Sequence, residues 1–285
     1  MQNHSPDMNH IATPEPTKLK VLPFLKWAGG KRWLVDQHSN LFPKNFDRYI
    51  EPFLGSGSVF FHLSPSQSIL SDVNGDLIEC YQQIQVRPKT IERHLKRHQR
   101  LHCSEYYYDI RMTNFSNPSM RAARFLYLNR TCFNGIYRVN LKGVFNVPIG
   151  SKTNVILESD NFYNISKKLE NVELIHTDFE ATIERATEGD FLYVDPPYTV
   201  KHNFNGFLKY NEKIFSWEDQ VRLRDSLIAA AGRGASILVS NAAHQSVIDL
   251  YKTTGTIRRL SRASVLSAKS SGRGTFEEIL VSINV

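Results

Sequence analysis

Cysteine is scarce in this chain of 285 residues: Cys80, Cys103 and Cys132 stand far apart, their number is odd, and no CxxC pair occurs. Neither a disulfide framework nor a zinc-ligand spacing is therefore indicated, and the usage suits a reducing, cytoplasmic compartment. No apolar run approaches the ~18 residues of a membrane-spanning helix. The opening MQNHSPDMNHIATPEPTK lacks the apolar centre of a signal peptide, and residues 1–18 are expected to be a disordered lead. There is no internal repeat. There is also no GxGxxG, so no pyrophosphate cradle is predicted.

Hydrophobic residues make up 41% of the chain, enough for a packed core, and 35 Lys and Arg against 28 Asp and Glu give a formal net charge of +7. That excess is compatible with a polyanionic partner such as nucleic acid without requiring one. Residues 19–84 and 165–285 carry α/β patterning. DRYIEPFLGSGSVFFHL reads as strand, glycine turn and helix, and SQSILSDVNGDLIECYQQI as strand, acidic turn and helix. VELIHTDF, DFLYVDPPY, ASILVSNAA and EEILVSINV read as strands, EDQVRLRDSLIAAAGR and HQSVIDLYKT as helices, and SRASVLSAKSSGRGTFEEIL has the composition of a loop. Alternating strands and helices predict a Rossmann-like α/β sheet with helices on both faces. Residues 85–164 interrupt it with a mainly helical, basic insertion. There TIERHLKRHQRLH predicts one helix, and NPSMRAARFLYLNR a second with Asn117 as N-cap and Pro118 at the first helical position. Turn signals at Asn134-Gly135 and Lys142-Gly143 then predict a β-hairpin or compact loop.

Four stretches carry chemistry. EPFLGSGS, residues 51–58, follows a strand and opens a helix, and Gly55 and Gly57 let a ligand approach the backbone. The next predicted strand ends at Asp72, where an acid can accept hydrogen bonds from ribose hydroxyls. Without a phosphate cradle, the pair points to a nucleoside cofactor that has no pyrophosphate. FLKWAGGKR, residues 24–32, adds Trp27 as a pocket wall and Lys31 as a partner for a carboxylate. In DFLYVDPPYTV, residues 190–200, Pro196 and Pro197 end the strand because they cannot donate ladder hydrogen bonds. That rigid corner presents the Asp195 carboxylate and the Tyr198 ring together, which suits a planar substrate with a donor on its edge. Each stretch also has a plain structural reading: a tight turn, a capping acid, a surface tryptophan.

Taken in order, FLKWAGGKR, YIEPFLGSGSVF, SDVNGDLI, FLYLNRTCFNGIYRVNLKGVFNVPIG, TDFE, DFLYVDPPY and ILVSN resemble the Dam-type DNA adenine-N6 methyltransferases, from Phe24 to the C-terminus. DPPY is shared with cytosine-N4 and some RNA and protein methylases; the long FLYLNR to FNVPIG stretch is far narrower. The resemblance implies S-adenosylmethionine as cofactor, double-stranded DNA as partner and adenine in GATC as target. It implies no metal and no membrane, leaves the oligomeric state open, and suggests a bacterial or phage protein of the cytoplasm and nucleoid. It places Trp27 and Lys31 in the cofactor's N-terminal motif, the lysine near the methionine carboxylate. Pro52, Phe53, Gly55 and Gly57 are the glycine turn, Asp72 holds the ribose, and Asp178 and Phe179 bracket the cofactor adenine. Asp195, Pro196 and Tyr198 take the catalytic roles. In the insertion it implies DNA contacts by Arg130, Phe133, Asn134, Ile136, Arg138, Lys142, Pro148 and Lys152. Arg124 is a further candidate for a phosphate or a guanine. Phe133 and Asn134 match the wedge beside the vacated base, and Arg138 the guanine reader. Thr131-Cys132, Tyr137 and Lys142 depart from the pattern, which bears on flanking preference. A cytosine-N4 or RNA methyltransferase of the same fold, or a non-catalytic DNA-binding regulator, are the alternatives; the Asp before Pro-Pro and the intact glycine turn argue against them.

Overall fold

The computed structural model describes residues 21–140, 143–200, 215–263 and 275–285. The expected N-terminal lead, Lys142 and most of the loop expected after Ala263 lie outside them.

A seven-stranded sheet forms the centre, in the order β3-β2-β1-β4-β5-β7-β6. The strands are β1 (Arg48–Glu51), β2 (Ser68–Asp72), β3 (Val172–His176), β4 (Asp190–Val194), β5 (Ser236–Ala242), β6 (Thr256–Ala263) and β7 (Thr275–Ile283). β3, β2, β1, β4 and β5 run parallel, while β7 is antiparallel to both β5 and β6. β4 is buried at every position and reads as a continuous apolar run, as a strand covered on both faces should. The strand order reverses at β1/β4, which gathers the carboxyl ends of β1, β2 and β4 on one edge. Ligands bind at such an edge in open α/β sheets.

Two hydrophobic clusters flank the sheet. One face carries α8 (Phe179–Ile183), α9 (Trp217–Gly232) and α10 (Gln245–Tyr251) around Leu192, Val194, Leu223, Leu227 and Val239. Ser216 and Asp219 close a capping box at the start of α9. The other face carries α1 (Arg32–Gln37), α2 (Ser58–Leu63), α3 (Gly75–Val86), α4 (Pro88–Leu101), α5 (Ser104–Met112), α6 (Pro118–Thr131) and α7 (Phe162–Lys168). Leu77, Tyr81, Ile91, Leu95, Tyr107, Leu126 and Phe162 share one core there with Phe60, Phe191 and Leu280. The helices of the expected insertion are therefore packed into the core of the sheet's own face.

The predicted caps form: the Asn117 side chain accepts the backbone N–H of Ser119 and of Met120, and Pro118 opens α6. Two readings are revised and two elements are added. The expected hairpin is a 3₁₀ turn at Phe133–Gly135 followed by two isolated antiparallel bridges, Cys132 with Ile149 and Val139 with Phe145. Among the described residues this is the compact-loop alternative of that expectation. SEYYYDIRM forms α5, and TIRRLSRA forms β6, an outer strand whose three arginines hide its strand character. The Ser/Gly-rich stretch expected as a loop begins and ends in strand, since β6 runs to Ala263 and β7 starts at Thr275.

Candidate active site

The glycine turn is built from backbone that only glycine adopts without strain: Gly55 has φ +48 and Gly57 φ +64. A Cβ on Gly55 would stand 2.8 Å from Cδ1 of Trp27, so the indole lies directly against the turn. Asp72, at the end of β2, ties that turn to the next strand. One of its oxygens accepts the Gly55 N–H at 3.1 Å and the other the Asn74 N–H at 2.9 Å. Burial raises the Asp72 carboxyl above its ordinary range, opposed by these N–H bonds. Pro52 is buried beside it, and the Phe53 ring stacks on Phe179 at 5.4 Å between centroids.

At the neighbouring strand ends four side chains meet. Lys31, 3% exposed, places its ammonium 2.9 Å from an Asp195 carboxylate oxygen and 2.8 Å from the Gly29 carbonyl, which accepts its proton. The same nitrogen lies 4.9 Å from the centroid of the Tyr198 ring and 3.7 Å from Glu278. The Tyr198 hydroxyl donates to Glu278 at 2.7 Å. Burial, then the charges of Asp195 and Glu278, push that phenol well above its ordinary range, so it stays a donor. Behind the corner, the Asn241 amide of ILVSN donates to Gln220, and the Gln220 amide donates to the Pro197 carbonyl at 3.4 Å. Thr199 donates to the Phe215 carbonyl at 2.6 Å. The Pro-Pro corner is thus fixed from β5 and α9 as well as by its own rings.

Two acids here were not singled out from the sequence. Glu278 comes from β7, 83 residues after Asp195, and only the β5–β7 pairing brings it in. Glu51 ends β1, is buried, and accepts from the Tyr49 hydroxyl at 2.9 Å. Burial pushes its carboxyl well above the ordinary range, and the charge of Asp195 adds to the rise. EPFLGSGS was read for its glycines, and its leading Glu51 was the available signal. Of these acids, Asp195 and Glu278 flank Lys31, while Asp72 and Glu51 stand at the ends of β2 and β1.

The Asp178 carboxylate, expected beside the cofactor adenine, caps α8 through the Glu180 N–H and pairs with Arg222 at 2.7 and 3.0 Å. Those bonds hold it below the usual carboxylate range against the opposing effect of burial. Arg222 also lies over the Phe179 ring, 4.2 Å from its centroid.

The expected DNA contacts divide. Phe133, Asn134, Ile136, Arg138, Pro148 and Lys152 are all exposed, on one loop running from the end of α6. Phe133 is 55% exposed and Ile136 44%, high values for apolar side chains. The loop is anchored from below. Tyr137 stacks on Trp27, contacts Phe125 and Phe145, and donates to Asp76 at 3.0 Å. The Gly150 N–H donates to the Thr131 carbonyl at 2.7 Å, and a Cβ on Gly150 would meet the Cys132 carbonyl oxygen at 2.5 Å.

Arg130 does not belong to this set. It is 1% exposed, pairs with Asp160 at 2.5 and 2.7 Å, and donates to the Val155 and Phe24 carbonyls. It cannot reach a phosphate without leaving the core. Arg124 is also committed, donating to the carbonyls of Ile110 and Arg111 at the end of α5.

Residues 27–265 match the model of the D12 class N6 adenine-specific DNA methyltransferases. The chain belongs to this family. It is 37% identical over 276 residues to the type II methyltransferase M1.LlaDCHI of Lactococcus lactis subsp. cremoris, covering 94% of this chain and 97% of that one. It is 33% identical to the type II methyltransferase M.MjaIII of Methanocaldococcus jannaschii, over 92% and 99% of the two chains. To the DNA adenine methylase of Escherichia coli K12 it is 32% identical, over 90% and 92%. The D12-class chain is thus an adenine-specific DNA methyltransferase that uses S-adenosylmethionine and acts on DNA. No helix among its described residues is long and apolar enough to cross a membrane.

Proposed function

We propose that this D12-class enzyme methylates the exocyclic N6 of adenine within GATC in double-stranded DNA, after the base has been turned out of the helix. The observation that carries the reading is the pairing of two features. One is the Asp195-Pro-Pro-Tyr198 corner, with its carboxylate 18% exposed at the sheet edge. The other is the anchored loop that presents Phe133, Asn134, Ile136 and Arg138 to solvent.

When bound, the cofactor supplies an electrophilic methyl group on a sulfonium. The residues' task is to make a poor nucleophile aim at it, because the adenine amine's lone pair is delocalised into the ring. Asp195 accepts one amine N–H and the Pro196 carbonyl the other. Two acceptors on a rigid corner favour a tetrahedral nitrogen, so the contribution is orientation and electrostatic stabilisation. Asp195 need not take the proton first, since the amine is most acidic after it has become cationic. The Tyr198 ring, held by its hydroxyl, gives the extruded base a face to stack on, worth on the order of 1–3 kcal/mol. Extrusion itself costs a few kcal/mol, and Phe133 and Asn134 fill the space left in the helix. Arg138 reads a guanine through two parallel N–H bonds. Trp27 walls the cofactor site, Lys31 meets its carboxylate, Asp72 its ribose, and Asp178 and Phe179 its adenine.

The test is transfer of labelled methyl groups to duplexes carrying GATC, GATC already methylated on both adenines, or single-base variants. Label confined to unmodified GATC is expected. Label in a different set of duplexes would refute the site and leave the chemistry. For Asp195→Ala, loss of turnover with most DNA affinity retained is expected; turnover like the wild type would remove Asp195 from the mechanism.

A further inference from the structure

We infer that Glu278 is a positioning residue for the methyl transfer: it fixes the Tyr198 ring and is the alternative anion to which Lys31 moves when Asp195 is needed by the target amine. This rests on the assignment of Asp195 as acceptor for that amine.

The two carboxylates compete for one ammonium. Lys31 is ion-paired with Asp195 at 2.9 Å and lies 3.7 Å from Glu278. A carboxylate oxygen already bound to an ammonium is a weaker acceptor for an adenine N–H, so the resting contact opposes the proposed role of Asp195. A movement of about 1 Å brings Lys31 within bonding distance of Glu278, and its flexible stem permits that without backbone change. Glu278 itself is well placed to receive it. It is 3% exposed and sits on β7 between two paired strands, opposite Ala242 and Leu260. The Tyr198 hydroxyl fixes it at 2.7 Å, and the Ser240 hydroxyl approaches at 3.4 Å. Among the described residues, the charged and titratable groups around Asp195 are Lys31, Tyr49 and Glu51 of β1, Tyr193 of β4, Tyr198 and Glu278. Lys31 is the cation that these described residues share, so its position bears on the field that the incoming amine meets.

Glu278→Gln tests this, since an amide oxygen still accepts from Tyr198 while the charge that attracts Lys31 is gone. Single-turnover methyl transfer to a GATC duplex is measured alongside S-adenosylmethionine and DNA affinity. The transfer rate constant should fall at least tenfold while both affinities stay within threefold. In a Lys31→Met background, which has no ammonium to receive, the same substitution should cost no more than twofold. Equal losses in both backgrounds would overturn the inference and leave Glu278 a packing residue, as would a wild-type rate in Glu278→Gln alone. If that variant does not melt cooperatively, Glu278→Asp replaces it in both backgrounds: it draws the carboxylate back from both Lys31 and Tyr198, so the rate loss should be at least threefold larger with Lys31 present than with Lys31→Met. Background-independent loss overturns the inference there too. Absence of transfer by the wild type to any duplex would instead defeat the functional reading on which this one rests.

Discussion

Arg130→Met separates a structural arginine from a DNA contact. Arg130 is 1% exposed, its Asp160 partner 5%, and the two join through both guanidinium ends. Removing one member of a buried pair leaves the other charge uncompensated, which destabilises by about 3–5 kcal/mol. The Val155 and Phe24 carbonyls also lose their donor, and each buried orphan adds roughly 1–3 kcal/mol unless water reaches it. A fall of at least about 3 kcal/mol in urea unfolding is therefore expected, or roughly 6 °C in Tm at about 2 °C per kcal/mol for a chain of this length. DNA affinity of the folded fraction should keep its salt dependence. Replacing both partners, Arg130→Met with Asp160→Leu, should recover part of the loss, because the uncompensated carboxylate is gone. A phosphate contact behaves in the opposite way: stability within about 0.5 kcal/mol and a salt slope smaller by about one. That second pattern would refute the buried-pair argument.

Three further outcomes follow from the same geometry. Arg138→Ala, an exposed loop position, should relax one base position of the site and lower affinity for it by roughly 1–3 kcal/mol, read by competition among single-base variants; an unchanged preference would reassign the contact. Gly55→Ala must hold φ +48 and meets the Trp27 indole at 2.8 Å, so cofactor affinity should fall at least tenfold in calorimetry while the chain still folds; near-normal affinity would show that the indole can swing away. His98 is buried against Tyr106 and Tyr127, and burial lowers its pKa to about 4. The unfolded chain, near the ordinary ~6.5, binds that proton more readily. The stability His98 contributes is therefore present above about pH 6.5 and lost as pH falls toward 4, and His98→Phe should flatten the pH dependence of Tm across that window; parallel curves for the two proteins would refute it.

Much of the sheet was legible because its strands are short apolar runs closed by turn formers. DFLYV before Pro196 and SILSD before Asn74 declare their ends chemically, and the parallel order follows from the helices between them. β6 was not legible, since Arg258, Arg259 and Arg262 give TIRRLSRA the charge of a surface segment, and only pairing along β7 makes it a strand. The hairpin failed for a related reason. Alternation around Asn134-Gly135 satisfies a β pattern, yet Tyr137 turns inward onto Trp27 and Phe125, with Phe145 against it, and only two isolated bridges form among the described residues.

The site shows the same division between local and distant information. Gly55, Asp72 and Asp195 stand at strand ends that the sequence marks, so their convergence follows from topology. Glu278 has no local mark, because its role depends on β7 running antiparallel beside β5. Asn129 and Arg130 are the sharpest case. Their motif was legible, but its meaning was not. The Asn129 side chain accepts the Lys26 N–H and donates to the Lys26 carbonyl, while Arg130 donates to the Phe24 carbonyl. Two adjacent residues at the end of α6 thus hold the FLKW segment whose Trp27 walls the glycine turn, and the next turn of chain begins the exposed loop. A guanidinium just before a DNA-facing loop satisfies charge arguments for phosphate binding and, equally, those for clamping backbone carbonyls. Burial alone decides between them, and burial is a property of the whole fold. The loop is tied to the same segment a second time, since Tyr137 stacks on Trp27.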